Sequence, residues 1–176
     1  MSAVNPEPSA LQHIRALALD FDGVLTDGGL FWGPNGEEWK RLCFADIMGL
    51  SLARRAGLQL ALISGENSPL IDRYAEKMRI AHVFRPCRDK ASALREFASA
   101  AGLPLAAICY MGDDINDLPA LRIAGLAAAP ASADPAVLAL AAFTATSPGG
   151  HGAVRQLVNA ILAAQNLDPE EVFSRP

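Results

Sequence analysis

The chain has 176 residues, 51% of them apolar and 19% charged, with a formal net charge of −4 and a pI near 5.3. That length suits one domain with a real core and leaves little room for a second folded unit. The acidic balance, with no Lys/Arg-rich block, argues against a surface built for nucleic acid or an anionic membrane. No apolar run reaches membrane-spanning length without a charge or turn residue. Met1 to Ala10 carry two prolines and Glu7, unlike a signal peptide. Cys43, Cys87 and Cys109 are odd in number and lack CxxC spacing, as expected of reduced thiols in a cytoplasmic protein.

Short apolar runs alternate with segments of helical period. Ile14 to Phe21 reads as a buried strand ending at two aspartates. Leu30 to Trp32 and Glu38 to Phe44 flank Gly33-Pro34-Asn35-Gly36, a hairpin signal. Ile47 to Arg55 reads as a helix stopped by Gly57, and Leu58 to Ile63 as a strand before Ser64-Gly65. Pro69 to Arg79 fits a helix with proline in its first turn. A short strand over Ala81 to Phe84 precedes a helix from Lys90 to Ala101. Ala106 to Met111 is a strand before Gly112-Asp113-Asp114. Leu118 to Ala124 is helical, Gly125 to Ala129 a strand, and Pro135 to Leu140 and Gly152 to Ala164 are helices. Residues 1–12 and 166–176 are expected to be loose. The alternation predicts an α/β fold, a doubly wound, mostly parallel sheet with helices on both faces and a small hairpin insertion.

In such sheets ligands sit beyond the carboxyl ends of the strands. Asp20 and Asp22, Ser64, and Asp113 and Asp114 each follow a predicted strand, so separate strands deliver polar groups to one sheet edge. Asp20 and Asp22 fall on the same side of an extended segment. Two close carboxylates repel unless a cation holds them, and a hard dication such as Mg²⁺ suits oxygen ligands beside phosphate. One carboxylate can attack phosphorus while the other moves a proton. Taken singly, each feature has a plainer meaning. A lone DxD is commonly a turn or cap, Ser-Gly a turn, Lys90 a surface lysine, and Asp114 or Asn116 a helix N-cap.

Together and in this order, DFDGVLTDG, LISGE, Lys90 and GDDINDLPAL resemble the four motifs of the haloacid dehalogenase superfamily of phosphatases, from about Ile14 to Leu121. The resemblance implies that Asp20 is the nucleophile and Asp22 the general acid/base. It implies that Ser64, Gly65 and Lys90 bind phosphate. Mg²⁺ would be held by Asp20, Asp113 and the Asp22 backbone carbonyl, with Asp114 and Asp117 in support.

The gaps after Asp27 and after Lys90 leave no room for a cap domain, so water exclusion must come from elsewhere, most economically a neighbouring subunit. Leu30, Phe31, Trp32 and Trp39 either meet such a neighbour or pack on their own sheet. DGVLTDGGLFWGPNGEEWKRL, Asp46-Ile47-Met48-Gly49-Leu50 and Gly149 to Arg155 are similar to the capless tetrameric branch, which includes the KDO 8-phosphate (3-deoxy-D-manno-octulosonate 8-phosphate) and nine-carbon KDN 9-phosphate phosphatases. That likeness implies a homotetramer acting on a sugar-acid phosphate, with Arg155 contacting substrate or closing the site. Glu66 stands where the octulosonate branch carries arginine; with Lys77 it matches the nine-carbon enzyme, whose substrate arginine corresponds to Tyr74. Ile47 replaces the first glycine of the usual Asp-Gly-x-Gly and is expected to reshape the pocket. Two rival readings stay open: a phosphatase of broad metabolite range, and a non-catalytic tetramerisation module.

Overall fold

The computed structural model describes residues 8–175. Six parallel strands form one sheet in the order β5-β4-β1-β6-β7-β8. They are β1 (Ala16–Leu19), β4 (Gln59–Ile63), β5 (His82–Phe84), β6 (Ile108–Met111), β7 (Leu126–Ala129) and β8 (Phe143–Thr144). The first strand lies at the centre, paired in parallel with β4 on one side and β6 on the other. Buried on both faces, it has no polar position, as its Ala-Leu-Ala-Leu sequence requires.

Alternation divides that strand between two cores. Leu17 and Leu19 enter the layer of α1 (Pro8–Gln12), α2 (Phe44–Arg55), α3 (Pro69–Met78), α7 (Ala153–Ala164) and α8 (Pro169–Phe173). Ala16 and Ala18 face α4 (Lys90–Ala101), α5 (Leu118–Leu121) and α6 (Pro135–Leu140). The helices begin where local chemistry dictates. Ser68, Asp89, Asp134 and Asp168 each accept a hydrogen bond from a first-turn amide, and proline follows three of these four caps. Gly102 ends α4 in the left-handed conformation.

The hairpin is a separate two-stranded sheet, β2 (Phe31–Trp32) and β3 (Glu38–Trp39), with Phe31 opposite Trp39. Its turn is closed by Gly33 N donating to Glu37 O at 2.8 Å. The rings do not pack on their own sheet: Phe31, Trp32 and Trp39 are 66%, 77% and 55% exposed.

Some expectations need correcting. Of the termini expected to be loose, residues 1–7 and 176 lie outside the described residues, but residues 8–12 form α1 and Pro169–Phe173 form α8. Val172 is fully buried, and the Arg55 guanidinium lies 5.2 Å from the Phe173 ring while donating to its carbonyl at 2.8 Å. The two-residue strand β8, too short for a period of two to show, was also not expected. Ile47 packs against the core rather than lining the active-site cleft. Its neighbour Asp46 is buried and caps α7, accepting from Gly152 N at 3.0 Å and Arg155 N at 2.9 Å.

Candidate active site

The strand order changes direction around β1, and its carboxyl end opens into a crevice between the exits of β4 and β6. A cleft of about 260 Å³ lies there, lined by Asp20, Asp22, Gly23, Gly28, Ser64, Gly65, Glu66, Asp113, Asp114 and Asn116. Three stretches of sequence thus meet at one sheet edge. Two glycines allow the close approach. A Cβ on Gly23, which has φ +77°, would fall on the Asp113 carboxylate, and one on Gly149 would fall on the Gly23 carbonyl.

Beneath the cleft lies a buried charge network. Lys90 Nζ donates to Asp20 Oδ2 at 2.8 Å and to Asp117 Oδ1 at 2.6 Å. Tyr110 donates its hydroxyl to the same Asp117 oxygen at 2.6 Å. Asp117 Oδ2 accepts from the Asp113 and Asp114 amides at 2.9 and 3.2 Å. Asp20 Oδ1 accepts from the Phe21 amide at 2.7 Å. Burial alone would disfavour the Lys90 charge, but Asp20 and Asp117 outweigh it and hold the ammonium above its ordinary pKa. Burial, with the Asp117 charge, pushes the Asp20 carboxyl up to about 7 despite Lys90. Burial and the charges of Asp20 and Asp117 push Asp113 likewise up to about 7.

Asp20, Asp113 and Asp117 each offer a carboxylate oxygen within 4.8 Å of the others. One lysine cannot neutralise three carboxylates, so the site carries surplus negative charge and fits a hard cation. Asp117 has both oxygens committed to four donors. Asp113 receives no side-chain hydrogen bond among the described residues, leaving Asp113 and Asp20 as the open donors. Asp114 accepts from Ile115 N at 2.7 Å and, with Asp117, forms a capping box over the 3₁₀ turn Ile115–Asp117.

The sequence-predicted residues divide by position. Asp20, Asp22, Ser64, Gly65, Glu66, Asp113 and Asp114 line the cleft. Lys90 and Asp117 sit under its floor. Lys77 lies outside its walls, its ammonium 5.7 Å from the Phe44 ring, and Arg155 also lies outside, bonded through Nε to Asn159 at 2.9 Å. Sequence reasoning did not single out Tyr110 or Lys40, nor place Asn116 in the cleft lining. Lys40 Nζ is 2.8 Å from Asp22 Oδ2 and 3.4 Å from Glu38 Oε1. No local pattern marks it, because Lys40 follows β3 and its partner Asp22 lies eighteen residues earlier.

Comparison with known proteins decides the family. A family model described as haloacid dehalogenase-like hydrolase matches residues 59–157. The 3-deoxy-D-manno-octulosonate 8-phosphate phosphatase KdsC of Escherichia coli K12 is 32% identical over 154 residues, 88% of this chain and 82% of that protein. The chain belongs to the haloacid dehalogenase-like hydrolases, in the 3-deoxy-D-manno-octulosonate 8-phosphate phosphatase family. Two solved members of that family show the same fold. The Moraxella catarrhalis phosphatase, in complex with magnesium, phosphate and KDO, superimposes with a TM-score of 0.88 at 34% identity, covering 90% of this chain and 91% of that one. The cobalt-bound Haemophilus influenzae enzyme gives 0.88 at 33% identity, covering 93% and 98%. This family member places its acidic residues at the carboxyl edge of its parallel sheet.

Proposed function

We propose that the chain is a Mg²⁺-dependent phosphoric monoester hydrolase acting on the phosphate of a 2-keto-3-deoxy sugar acid of the KDO 8-phosphate type. The observation that carries this reading is the buried Asp20, clamped by Lys90 and within 4.8 Å of the Asp113 carboxylate, at the foot of a cleft also lined by Ser64 and Gly65. Asp20 and Asp113 would hold the cation with the Asp22 backbone carbonyl. When bound, Mg²⁺ supplies the positive charge that keeps both carboxylates ionised and offsets charge on the phosphoryl oxygens.

The substrate phosphate is received by Ser64, the Gly65 region and the Lys90 charge. The Asp20 carboxylate forms a bond to phosphorus as the bond to the sugar oxygen breaks, and the Asp22 carboxylic acid gives its proton to that oxygen. The ionised Asp22 then takes a proton from water, whose oxygen attacks phosphorus. The bond from Asp20 to phosphorus breaks, releasing phosphate. Asp114 and Asp117 hold the loop and Lys90 in place. Glu66 faces the sugar from the cleft wall and accepts hydroxyl hydrogen bonds. Lys77 and Arg155 would reach substrate across a subunit boundary. We also infer a homotetramer in the cytoplasm, supported by the exposed Phe31, Trp32 and Trp39; no described helix is long and apolar enough to cross a membrane.

The decisive experiment measures phosphate release from a panel of esters by the purified protein and by Asp20→Asn. A preference for KDO 8-phosphate or KDN 9-phosphate, lost with EDTA and lost by at least about a thousandfold in the variant, is expected. Flat rates across unrelated esters would point to the generalist, and full activity in a folded Asp20→Asn would end the nucleophile assignment.

A further inference from the structure

The residue assigned above as general acid, Asp22, sits on the cleft rim with its side chain 30% exposed, where a carboxylate would ordinarily swing freely. It does not. One oxygen accepts from Lys40 Nζ at 2.8 Å, and the other accepts from Thr26 Oγ1 at 3.3 Å. Thr26 is buried, and its hydroxyl oxygen accepts in turn from the Gly23 and Gly28 amides, both at 3.2 Å. A hydroxyl has one proton to give and lone pairs to receive, so these three contacts are mutually compatible.

Lys40 is the less expected partner. It comes from the hairpin, eighteen residues away, and its side chain is only 5% exposed. A buried ammonium at the end of a four-carbon stem needs a reason to be there. Its head is fixed between Asp22 and Glu38 Oε1 at 3.4 Å, and that Glu38 oxygen accepts from Ser68 Oγ at 2.7 Å, the cap of α3. Phe21, next to the nucleophile, lies under the same ammonium, 5.9 Å from it. The hairpin is therefore tied to the body of the fold through a lysine whose shortest contact is the proton-transferring carboxylate.

We propose that Lys40 is a positioning residue for catalysis: it holds the Asp22 carboxyl in the orientation that delivers a proton to the leaving oxygen. The alternative role, a mere anchor for the hairpin, needs no contact with Asp22, since Glu38 and Ser68 already provide one. The inference rests on the phosphatase reading above and on Asp22 as its acid. Proton delivery matters only when the leaving group is a poor anion. An alkyl alkoxide must be protonated as it departs, whereas p-nitrophenolate leaves without help. Asp22 also takes the proton from water in the later step, which is common to every ester, so a fault in aiming it separates the two esters in kcat/KM, which covers only the steps up to loss of the leaving group.

The test compares kcat and KM for KDO 8-phosphate and for p-nitrophenyl phosphate in the full-length protein with Mg²⁺, before and after Lys40→Met. The expected result is a kcat/KM lower by about ten- to a hundredfold on the sugar ester, within the range that a positioned acid contributes. On the aryl ester kcat/KM should stay within about threefold, whatever happens to the shared water step. Lys40→Arg keeps the charge and the hairpin tie but moves the donor atoms, so it should show the same split at smaller size; it also serves if Lys40→Met does not fold. Equal losses of kcat/KM on both esters, or no loss on the sugar ester, would overturn the role of Lys40. If the unsubstituted protein hydrolyses neither ester, it is instead the phosphatase reading that fails.

Discussion

The floor of the cleft and its rim are built in opposite ways. On the floor, Asp20, Lys90, Asp117 and Tyr110 are buried and share short hydrogen bonds, and both Asp117 oxygens are fully used. At the rim, Glu66 is exposed, Lys77 and Arg155 lie outside the cleft, and the neighbouring hairpin offers its aromatic rings to solvent. The floor needs nothing further from the protein to place a nucleophile against phosphorus. Among the described residues nothing covers the rim, so on the proposed reading a single chain is better equipped for phosphoryl chemistry than for recognition of a sugar.

The sharpest way to break this contrast is to remove the only buried cation of the floor among the described residues. Lys90→Met leaves Asp20 and Asp117 buried without their counter-charge. Taking one partner from a buried ion network typically costs about 3–5 kcal/mol, and losing a charge aimed at the phosphoryl group typically costs a hundred- to a thousandfold in rate. Both losses should appear together, in thermal unfolding and in kcat. A stable, active Lys90→Met protein would mean that the floor is not held by this lysine.

A second probe is pH. In the metal-free protein, burial and nearby carboxylates, Asp117 for Asp20 and both Asp20 and Asp117 for Asp113, raise the two groups to about 7. The sign follows from which state keeps its proton. Between pH 4 and 7 the unfolded chain has lost these protons while the folded chain retains them, so the stability they contribute falls as pH rises through that window. A cation requires the ionised carboxylates and displaces the protons. Mg²⁺ affinity should therefore rise with pH up to about 7, roughly tenfold per unit for each proton displaced, and flatten above. Titration calorimetry in buffers of different ionisation heats would count the protons released. An affinity that is flat from pH 5 to 8 would contradict the raised values and the ligand pair together.

How much of this was legible beforehand differs between floor and rim for a physical reason. Asp20, Ser64 and Asp113 announce themselves because each ends an apolar strand, and the parallel topology fixes where strand ends go. Lys90 was legible only in combination with them, since nothing local distinguishes a buried lysine from a surface one. Asp117 is expected from the resemblance only as a supporting group, and its partner Tyr110 looks like any strand residue. Lys40 was hidden because its partner lies across a hairpin, and pairing at that distance leaves no local pattern. Helix α8 was read as loose on polarity, although Asp168-Pro169 is a helix start and Val172 supplies its one buried anchor.

The mildest prediction bears on the rim. If the hairpin rings are covered by further copies of this chain, each large aromatic side chain contributes about 2 kcal/mol on burial, so Trp32→Ser should weaken association roughly thirtyfold. Sedimentation velocity over a concentration series would follow the shift toward the 18.5 kDa chain. Trp32 lies opposite Glu38, whose carboxylate holds Lys40, so loosening the hairpin should also lower the rate on the sugar ester as the assembly dissociates. The floor, which owes nothing to that contact, should keep its kcat/KM on p-nitrophenyl phosphate. An unsubstituted protein that sediments as a monomer at all concentrations would remove the partner from the rim and leave its rings without a role.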